Sequence, residues 1–567
     1  MIRQVRLRHF KQFDDQVIDL TDSVVLAGPN NSGKTTLLQA IAVWNLALQK
    51  WLAKRGGSKA KQRTGVGITR QDFTAIPLRE MNLLWFNTST ALRRDELAEG
   101  VHLGHPRVMV IALNGTTNDR DWEVAFEFTY QNSEMLSVKP AKDHIDVLPD
   151  LVGEFQVVHV PPFSGIGAEE TRYERPYQDL LIGQGKAGDI VRNLLVEVFQ
   201  HEDKSRWDEL VGQVDSIFGY RLLPPVFEGK PYILCEYLRG QPQGKGRNGL
   251  PQLDIASAGS GFHQVLLLLG FIYARPASVL LLDEPDAHLH VILQKQIYDR
   301  IRSVASARGS QLIVATHSEV LTDATSPERI VSFCGPPHSL AGEVDRDQLR
   351  EAMKCLTAMD LLLAEPSAGV VYVEGESDFN LLRAWASVLD HPVTAWFQGN
   401  PFYHSNHGRN PREAKNHFFA LRAVKPTVRG LLLLDGDNRG LPDREILTDG
   451  LTLQRWKRYE AESYLMHPEA LGRFAHAKAD PLFANAAVEF LTDELPGAVI
   501  RNPLGDSDYL NATPVSKSLL PSFLAEANLF LPKNEYYQIA EQMTEAEIAP
   551  EVREKLDTIY RIVSVPI

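Results

Sequence analysis

The chain has 567 residues, enough for about three to five domains at roughly 100–200 residues each. A hydrophobic content of 44% with 23% charged residues fits a soluble globular protein and excludes global disorder. Lys and Arg total 59 against 72 Asp and Glu, a net charge of −13, which argues against coating nucleic acid by bulk charge and leaves room for a local basic groove.

Taken in chain order, Ile2, Val5 and Leu7, then Val17, Ile18 and Leu20, predict a hairpin around a polar turn at Asp14-Asp15. Val24 to Ala27 is a short buried strand, followed by a glycine-rich loop and a helix over Thr35–Leu52. Between Lys50 and Arg70 the basic residues Lys50, Lys54, Arg55, Lys59, Lys61, Arg63 and Arg70 are interrupted by no acid, a candidate DNA-contacting run or a solvated loop. Alternating strands are expected near 107–130 and 154–160, helices over about 168–216, and a β stretch at 231–237. A helix, an apolar strand at Val279–Leu282, a helix over Leu289–Ser306 and a strand at Gln311–Ala315 follow. After a change near 340–366, strands are expected at Val370–Val373 and Gly430–Leu434, with helices at 378–389 and 411–423 and mostly helix to the end. Repeated strand–helix alternation predicts parallel α/β sheets in both parts.

Cys235, Cys334 and Cys355 form no C-x-x-C pair, which excludes a disulfide framework or a cysteine-rich zinc site. The start MIRQVRLRHF lacks an apolar core, and the most apolar internal run, Val265–Ala274, is shorter than the roughly 20 residues a span needs. The expectation is a cytoplasmic protein with no membrane partner.

Gly28-Pro29-Asn30-Asn31-Ser32-Gly33-Lys34-Thr35 matches G-x-x-x-x-G-K-[ST] between a strand and a helix. Backbone N–H groups of Gly28, Asn30, Asn31, Ser32 and Gly33, with Lys34, Thr35 and Thr36 at the helix start, are expected to hold the phosphates of ATP. Lys34 would reach the β- and γ-phosphates, and Thr35 would hold Mg²⁺. Val279–Leu282 then delivers Asp283 and Glu284, the first for Mg²⁺ and the second to orient or deprotonate water. His317 ends the next apolar strand, where it can contact the γ-phosphate. These residues resemble the ABC-type ATPase heads of the SMC and RecF group. The matching signature segment is Ser257-Ala258-Gly259-Ser260-Gly261-Phe262-His263-Gln264, with Gly259 where a serine is usual. The resemblance implies that Ser260 and Gly261 complete the nucleotide site of another copy, hence a homodimer or higher homo-oligomer. Lys34 and Asp283 are 249 positions apart without a long heptad run, so the insert reads as a compact helical arm at about 165–225.

Val371-Tyr372-Val373-Glu374-Gly375-Glu376-Ser377-Asp378 and Leu431-Leu432-Leu433-Leu434-Asp435-Gly436-Asp437 are two apolar strands ending in acids. Acids at one edge of a parallel sheet make a hard-cation site, for Mg²⁺ with Mn²⁺ also suited. The E-G-x-x-D and D-x-D pair resembles the TOPRIM domain. An ABC head followed by TOPRIM resembles the OLD (overcoming lysogenization defect) family, which includes the nuclease subunit of the Gabija anti-phage system. The resemblance implies a further metal-binding acid in Glu460-Ala461-Glu462-Ser463-Tyr464-Leu465, with Glu462 preferred, and a catalytic lysine, with Lys517 preferred over Lys533. It places the metal on Glu374, Asp378, Asp435, Asp437 and Glu462. His404 and His407 read as a solvated loop.

The expected architecture is α/β: an ABC-type ATPase head over 1–345, a linker over 346–366, and a TOPRIM nuclease domain with C-terminal helices over 367–567. The expected function is an ATP-regulated, metal-dependent DNA endonuclease in anti-phage defence, with DNA as partner and a co-encoded helicase or reverse transcriptase as a further one. The alternative is an ATP-switched DNA clamp or scaffold with an inactive TOPRIM domain. A topoisomerase or primase fits less well, for want of a tyrosine-bearing gate domain or a zinc-binding cysteine cluster.

Overall fold

The structure is a computed structural model. It describes residues 1–55, 65–73, 76–92, 105–117, 119–141, 155–240, 251–275, 277–364, 366–406, 411–437, 440 and 442–564. The chain divides into two compact units, Met1–Arg350 and Glu351–Ile567.

In the first unit the strands are β1 (Ile2–Phe10), β2 (Phe13–Asp19), β3 (Ser23–Ala27), β4 (Val66–Thr69), β5 (Met109–Thr117), β6 (Arg120–Asn132), β7 (Met135–Pro140) and β8 (Val157–Val160). They continue as β9 (Tyr220–Leu222), β10 (Glu236–Arg239), β11 (Gln252–Asp254), β12 (Val279–Asp283), β13 (Gln311–Thr316), β14 (Ile330–Ser332) and β15 (His338–Ser339). The main helices are α1 (Lys34–Arg55), α2 (Arg175–Gly183), α3 (Val191–Gln200), α4 (Ser205–Phe218), α5 (Ser260–Ala274) and α6 (Val291–Ala307).

One sheet runs β2-β1-β5-β6-β7-β4 with every neighbouring pair antiparallel. A second runs β15-β14-β3-β13-β12-β8, in which β14, β3, β13, β12 and β8 are parallel. Strands β12 and β13 are buried at every position, as a parallel sheet covered on both faces requires. Helix α1 is apolar on nearly all sides. Leu37, Ile41, Trp44 and Leu48 join one core with Leu7, Ile111 and Phe126 of the antiparallel sheet and with Leu26, Leu281 and Ile313 of the parallel one. Trp44 is fully buried, donates from Nε1 to the Val124 carbonyl at 2.8 Å and stacks on Trp122 at 5.9 Å.

One feature differs from the sequence reading, and two others refine it. The first hairpin turns at Lys11-Gln12, because Lys11 adopts φ 49° and Phe10 pairs with Phe13; Asp14 and Asp15 lie in β2, with Asp15 opposite Arg8. The segment 346–366, read as a linker, carries the end of the helix Glu343–Cys355 and the helix Ala358–Ala364. The helical arm is three separate helices, α2, α3 and α4.

The second unit has strands β16 (Gly369–Val373), β17 (Tyr403–Ser405), β18 (Arg429–Leu434), β19 (Arg444–Thr448) and β20 (Leu451–Arg455), with helices α7 (Glu376–Val388) and α8 (Arg412–Val424). Its sheet runs β17-β16-β18-β20-β19, parallel except for β19 against β20. Strands β17, β19 and β20 are absent from the sequence reading. The helices after β20 share a core with α7, including Trp385, Leu471, Phe523 and Ile559. His404 lies on β17, with its ring 4.5 Å from that of His417, rather than in a solvated loop; His407 lies outside the described residues.

Trp44 links the phosphate-loop helix to β6. Trp44→Ala should lower stability by about 3–5 kcal/mol, read as an earlier midpoint in urea unfolding followed by tryptophan-independent circular dichroism.

Candidate functional site

Because β3, β13 and β12 are parallel neighbours, their C-terminal ends lie side by side. They carry the 28–33 loop, His317 and the Asp283-Glu284 pair, so three stretches distant in sequence meet at one edge. In the loop Asn31 has φ 63° and Gly33 has φ 108°. A Cβ added at Gly33 would lie 2.5 Å from Gln12 Nε2 and 2.7 Å from Phe13 Cζ, so both backbone angle and space require glycine. Asn30 and Asn31 are exposed. Lys34 is buried and its Nζ donates to the carbonyls of Gly28 and Pro29, each at 2.8 Å. Burial pushes its ammonium below the usual lysine value. Ser32 Oγ is shielded and makes no hydrogen bond, an orphaned hydroxyl of the kind a phosphate oxygen satisfies. Thr36 Oγ1 donates to Gln12 Oε1 at 3.3 Å.

Asp283 is buried at the end of β12 and accepts a hydrogen bond from Thr35 Oγ1 at 2.9 Å. Burial raises its carboxyl to about 6, against the Thr35 hydrogen bond and the Lys34 charge. The hard oxygen donors of Thr35 and Asp283 fit Mg²⁺, which would favour the carboxylate there. Glu284 has φ 50°, donates its N–H to the Ala315 carbonyl at 2.9 Å, and meets His317 Nδ1 at 2.8 Å through Oε2. Burial acts to raise the Glu284 carboxyl, but the His317 hydrogen bond and charge, with Lys34, outweigh it and hold it low. The same hydrogen bond raises the His317 imidazole, ahead of the opposing effect of its partial burial.

Sequence reasoning missed two residues of this site. Gln12 packs against Gly33 from the β1–β2 turn, and only correct placement of that turn reveals it. Asp286 is buried and accepts from Thr316 Oγ1 at 2.7 Å, bracing the strand end beside His317. It was visible as the third acid of the Asp283-Glu284-Pro285-Asp286 run.

Ser260 opens α5 and is exposed, with half-buried Gly261 after it. Asp254 caps the preceding turn by accepting from the Ala256 N–H at 2.7 Å. The described ends of the basic run are already paired: Lys50 with Asp72 at 2.5 Å and Arg70 with Glu134 at 3.0 Å. Lys59, Lys61 and Arg63 lie outside the described residues.

In the second unit β16 and β18 are parallel neighbours, with Tyr372 opposite Leu432. Glu374 follows β16 and accepts the Asp435 N–H at 2.8 Å. Asp435 follows β18 and accepts the Ala461 N–H at 3.0 Å. Asp378, in the first turn of α7, accepts the Gly375 N–H at 3.1 Å and so also caps its own helix. Glu462 is fully buried, and Lys533 Nζ lies 3.0 Å from its Oε1. Burial raises the Asp435 carboxyl well above the carboxylate range, and the charges of Asp378, Glu374 and Glu462 add to it. Burial likewise raises Asp378, followed by Glu462. Burial opposes the Lys533 charge, yet Glu462, with Glu460 and Asp378, holds its ammonium above the ordinary value.

Two expected members are placed differently. Asp437 does not extend beside Asp435, because the backbone turns at Gly436-Asp437 and the Asp437 N–H donates to the Tyr459 carbonyl at 2.9 Å. Lys517 is exposed beside Ser516, whose N–H and Oγ hold Glu460 at 2.5 and 2.8 Å, and the lysine that reaches the acids is Lys533. The donor chemistry of Glu374, Asp378, Asp435 and Glu462 fits a hard divalent cation. Among the described residues, no three His, Cys, Asp or Glu stand together in a ready metal-ligand arrangement.

Comparison with known proteins adds the following. The profile of a family described as "AAA ATPase domain" matches residues 1–50, and one described as "AAA domain, putative AbiEii toxin, Type IV TA system" matches residues 243–323. Together they span the phosphate loop, the signature segment, the acidic strand and His317. Both descriptions are of AAA-type ATPase domains, and the matches support an ATPase in the first unit. No curated protein matches the chain. Among solved structures, an SMC head domain from Thermotoga maritima is 15% identical over 58% of this chain and 94% of its own, with a TM-score of 0.31. An Smc head domain with an extended coiled coil bound to the C-terminal domain of ScpA, from Pyrococcus furiosus, is 17% identical over 58% and 92%, with a TM-score of 0.32. An SmcHead bound to the C-winged helix domain of ScpA is 17% identical over 58% and 94%, with a TM-score of 0.33. No helix among the described residues is long and apolar enough to cross a membrane.

The Glu284–His317 pair has a defined pH window. A raised histidine favours the pair fully below the ordinary value of 6.5 and loses it as pH climbs through the raised value. A lowered glutamate favours it above 4.5 and loses it as pH falls through the lowered value. An NMR titration of the imidazole should therefore place His317 above 6.5, and Glu284→Gln should bring it back down. At Gly436 an added Cβ would lie 1.9 Å from the Arg458 carbonyl oxygen, while at Gly375 it would meet only Ser377 Oγ at 3.7 Å. Gly436→Ala should cost about 1–3 kcal/mol in urea unfolding, with Gly375→Ala close to the parent.

Proposed function

We infer that the chain is an ATP-regulated, divalent-metal-dependent DNA endonuclease acting in anti-phage defence, with the second unit as a TOPRIM nuclease of the OLD type. One observation carries this reading. Four acids from three distant segments, Glu374, Asp378, Asp435 and Glu462, act on one another at the end of two parallel strands, and burial and mutual repulsion raise Asp435 and Asp378. Such a set is stable only with bound protons or a cation. The description of the AbiEii-type family is in keeping with a defence role.

A divalent ion, Mg²⁺ or Mn²⁺, would supply water activation and stabilisation of the leaving oxygen. Glu374, Asp378, Asp435 and Glu462 would hold it. Lys533, partly exposed beside Glu462, would neutralise charge gathering on the phosphate. In the ATPase unit the loop N–H groups and Lys34 would bind the phosphates, and Thr35 and Asp283 would hold Mg²⁺. Glu284 would accept a proton from the attacking water, with His317 keeping its carboxylate oriented. Ser260 and Gly261, at the start of α5, would serve a second copy of the chain, so that ATP pairs the heads.

A second reading, an ATP-switched DNA clamp or scaffold, has its own support: among the described residues no three ligands are prearranged, and Lys533 already engages Glu462. Plasmid cleavage separates the two. On the nuclease reading, nicking appears with Mg²⁺ or Mn²⁺ and stops with EDTA. Asp435→Ala abolishes it, Lys533→Ala lowers it by about 10²-fold, and Lys517→Ala leaves it unchanged. ATP turnover persists in all three. Cleavage at the parent rate in Asp435→Ala and Lys533→Ala would favour the clamp.

A further inference from the structure

Arg458 is only 5% exposed, yet its guanidinium hydrogen bonds all go to uncharged groups. Nη1 donates to the Ser463 carbonyl at 3.0 Å, and Nη2 donates to the carbonyls of Pro503 at 2.6 Å and Gly505 at 3.3 Å. The guanidinium carbon lies 4.8 Å from the centre of the Tyr464 ring, and the Arg458 N–H donates to Tyr464 Oη at 3.3 Å. Burial pulls the guanidinium below the ordinary arginine value, against the charges of Tyr464, Glu551 and Asp506. A cation buried among carbonyls is costly, so its place in the fold calls for a reason.

The partners supply one. The bond to Ser463 closes the segment 458–463 on itself, and the bonds to Pro503 and Gly505 tie the closed loop to a separate stretch of chain. That loop carries the groups that meet the acids of the second unit. The Ala461 N–H donates to Asp435 at 3.0 Å, and the Tyr459 carbonyl accepts the Asp437 N–H at 2.9 Å. Glu462 is fully buried and immediately precedes Ser463 and Tyr464, the two residues that Arg458 holds. The Arg458 carbonyl itself packs on Gly436, between Asp435 and Asp437, where an added Cβ would come within 1.9 Å. An arginine suits the task. Its planar fork presents five N–H donors in fixed directions and can reach carbonyls on two segments at once, whereas a lysine ammonium is a compact point charge.

We propose that Arg458 is a positioning residue for the metal site of the second unit, closing the 458–463 loop so that the Glu462 carboxylate and the Ala461 N–H stay in register with Asp435. The proposal rests on the nuclease reading above and adds the residue that sets how tightly the acids take a cation. A guanidinium has no acceptor and cannot ligate a metal, so Arg458 acts through the loop backbone alone.

The test titrates the full chain with Mn²⁺ in the absence of nucleotide and follows free Mn²⁺ by electron paramagnetic resonance. Asp435→Ala provides the baseline for ions bound elsewhere. Two variants are compared with the parent: Arg458→Lys, which keeps the charge and loses the fork, and Arg458→Met, which keeps the packing on Tyr464 and removes every donor. Melting by circular dichroism shows which of them is folded at the titration temperature. Groups that orient metal ligands typically contribute about 10–100-fold in affinity. Each folded variant should therefore bind Mn²⁺ about tenfold or more weakly, and the Mn²⁺ concentration that half-saturates plasmid nicking should rise by the same factor. A merely structural role would lower the melting temperature and leave the affinity of the folded protein at the parent value, and that result overturns the proposal. A parent that binds no more Mn²⁺ than Asp435→Ala overturns the nuclease reading itself, and the proposal falls with it.

Discussion

In a parallel sheet, neighbouring strands run in one direction and their chains all leave from the same edge. That constraint builds the ATP site. Strands β3, β13 and β12 are joined in this way, and each ends in a different piece of chemistry: the phosphate loop, His317, and Asp283 with Glu284. The hydrogen bond from Thr35 to Asp283 spans the ends of the set, since β13 lies between β3 and β12. The apolar residues of these strands hold the register, and α1 fills the space between this sheet and the antiparallel one. The position of each reactive group is thus inherited from backbone pairing and core packing.

The second unit applies the same constraint to a different purpose. Two parallel strands bring carboxylates together, and burial then sets them against one another. Hydrogen bonds from the Gly375, Asp435 and Ala461 N–H groups stabilise three of the anions, and Lys533 meets the fourth. Each device lowers the cost of gathering negative charge. The lysine also competes with any cation for Glu462, so the ammonium and a metal would share one ligand.

Much of this was legible in the sequence because apolar strands ending in acids leave a local signature. The strands β3, β12, β13, β16 and β18 were each read from four or five consecutive apolar residues. What escaped had no such signature. The β1–β2 turn was misplaced because the Asp14-Asp15 pair looks like a turn, whereas the bend depends on Lys11 taking a left-handed backbone. Strands β19 and β20 are short and partly exposed, with Ile446 74% exposed, so their pattern is weak. The choice between Lys517 and Lys533 depends on where a chain of helices returns, which is a tertiary property. The extended backbone expected to carry Asp435 and Asp437 to one side is absent for a local reason: alternation holds only while the strand continues, and here it ends at Leu434.

The backbone at Glu284 carries a further consequence. A side chain at φ 50° is strained by about 1–2 kcal/mol relative to the ordinary helical or extended regions. Glycine at this position would relax that strain and discard the carboxylate that His317 holds. Directed evolution for heat resistance alone would then drift toward losing the very group assigned to hydrolysis, and a thermally hardened variant of this chain should be checked first at residue 284.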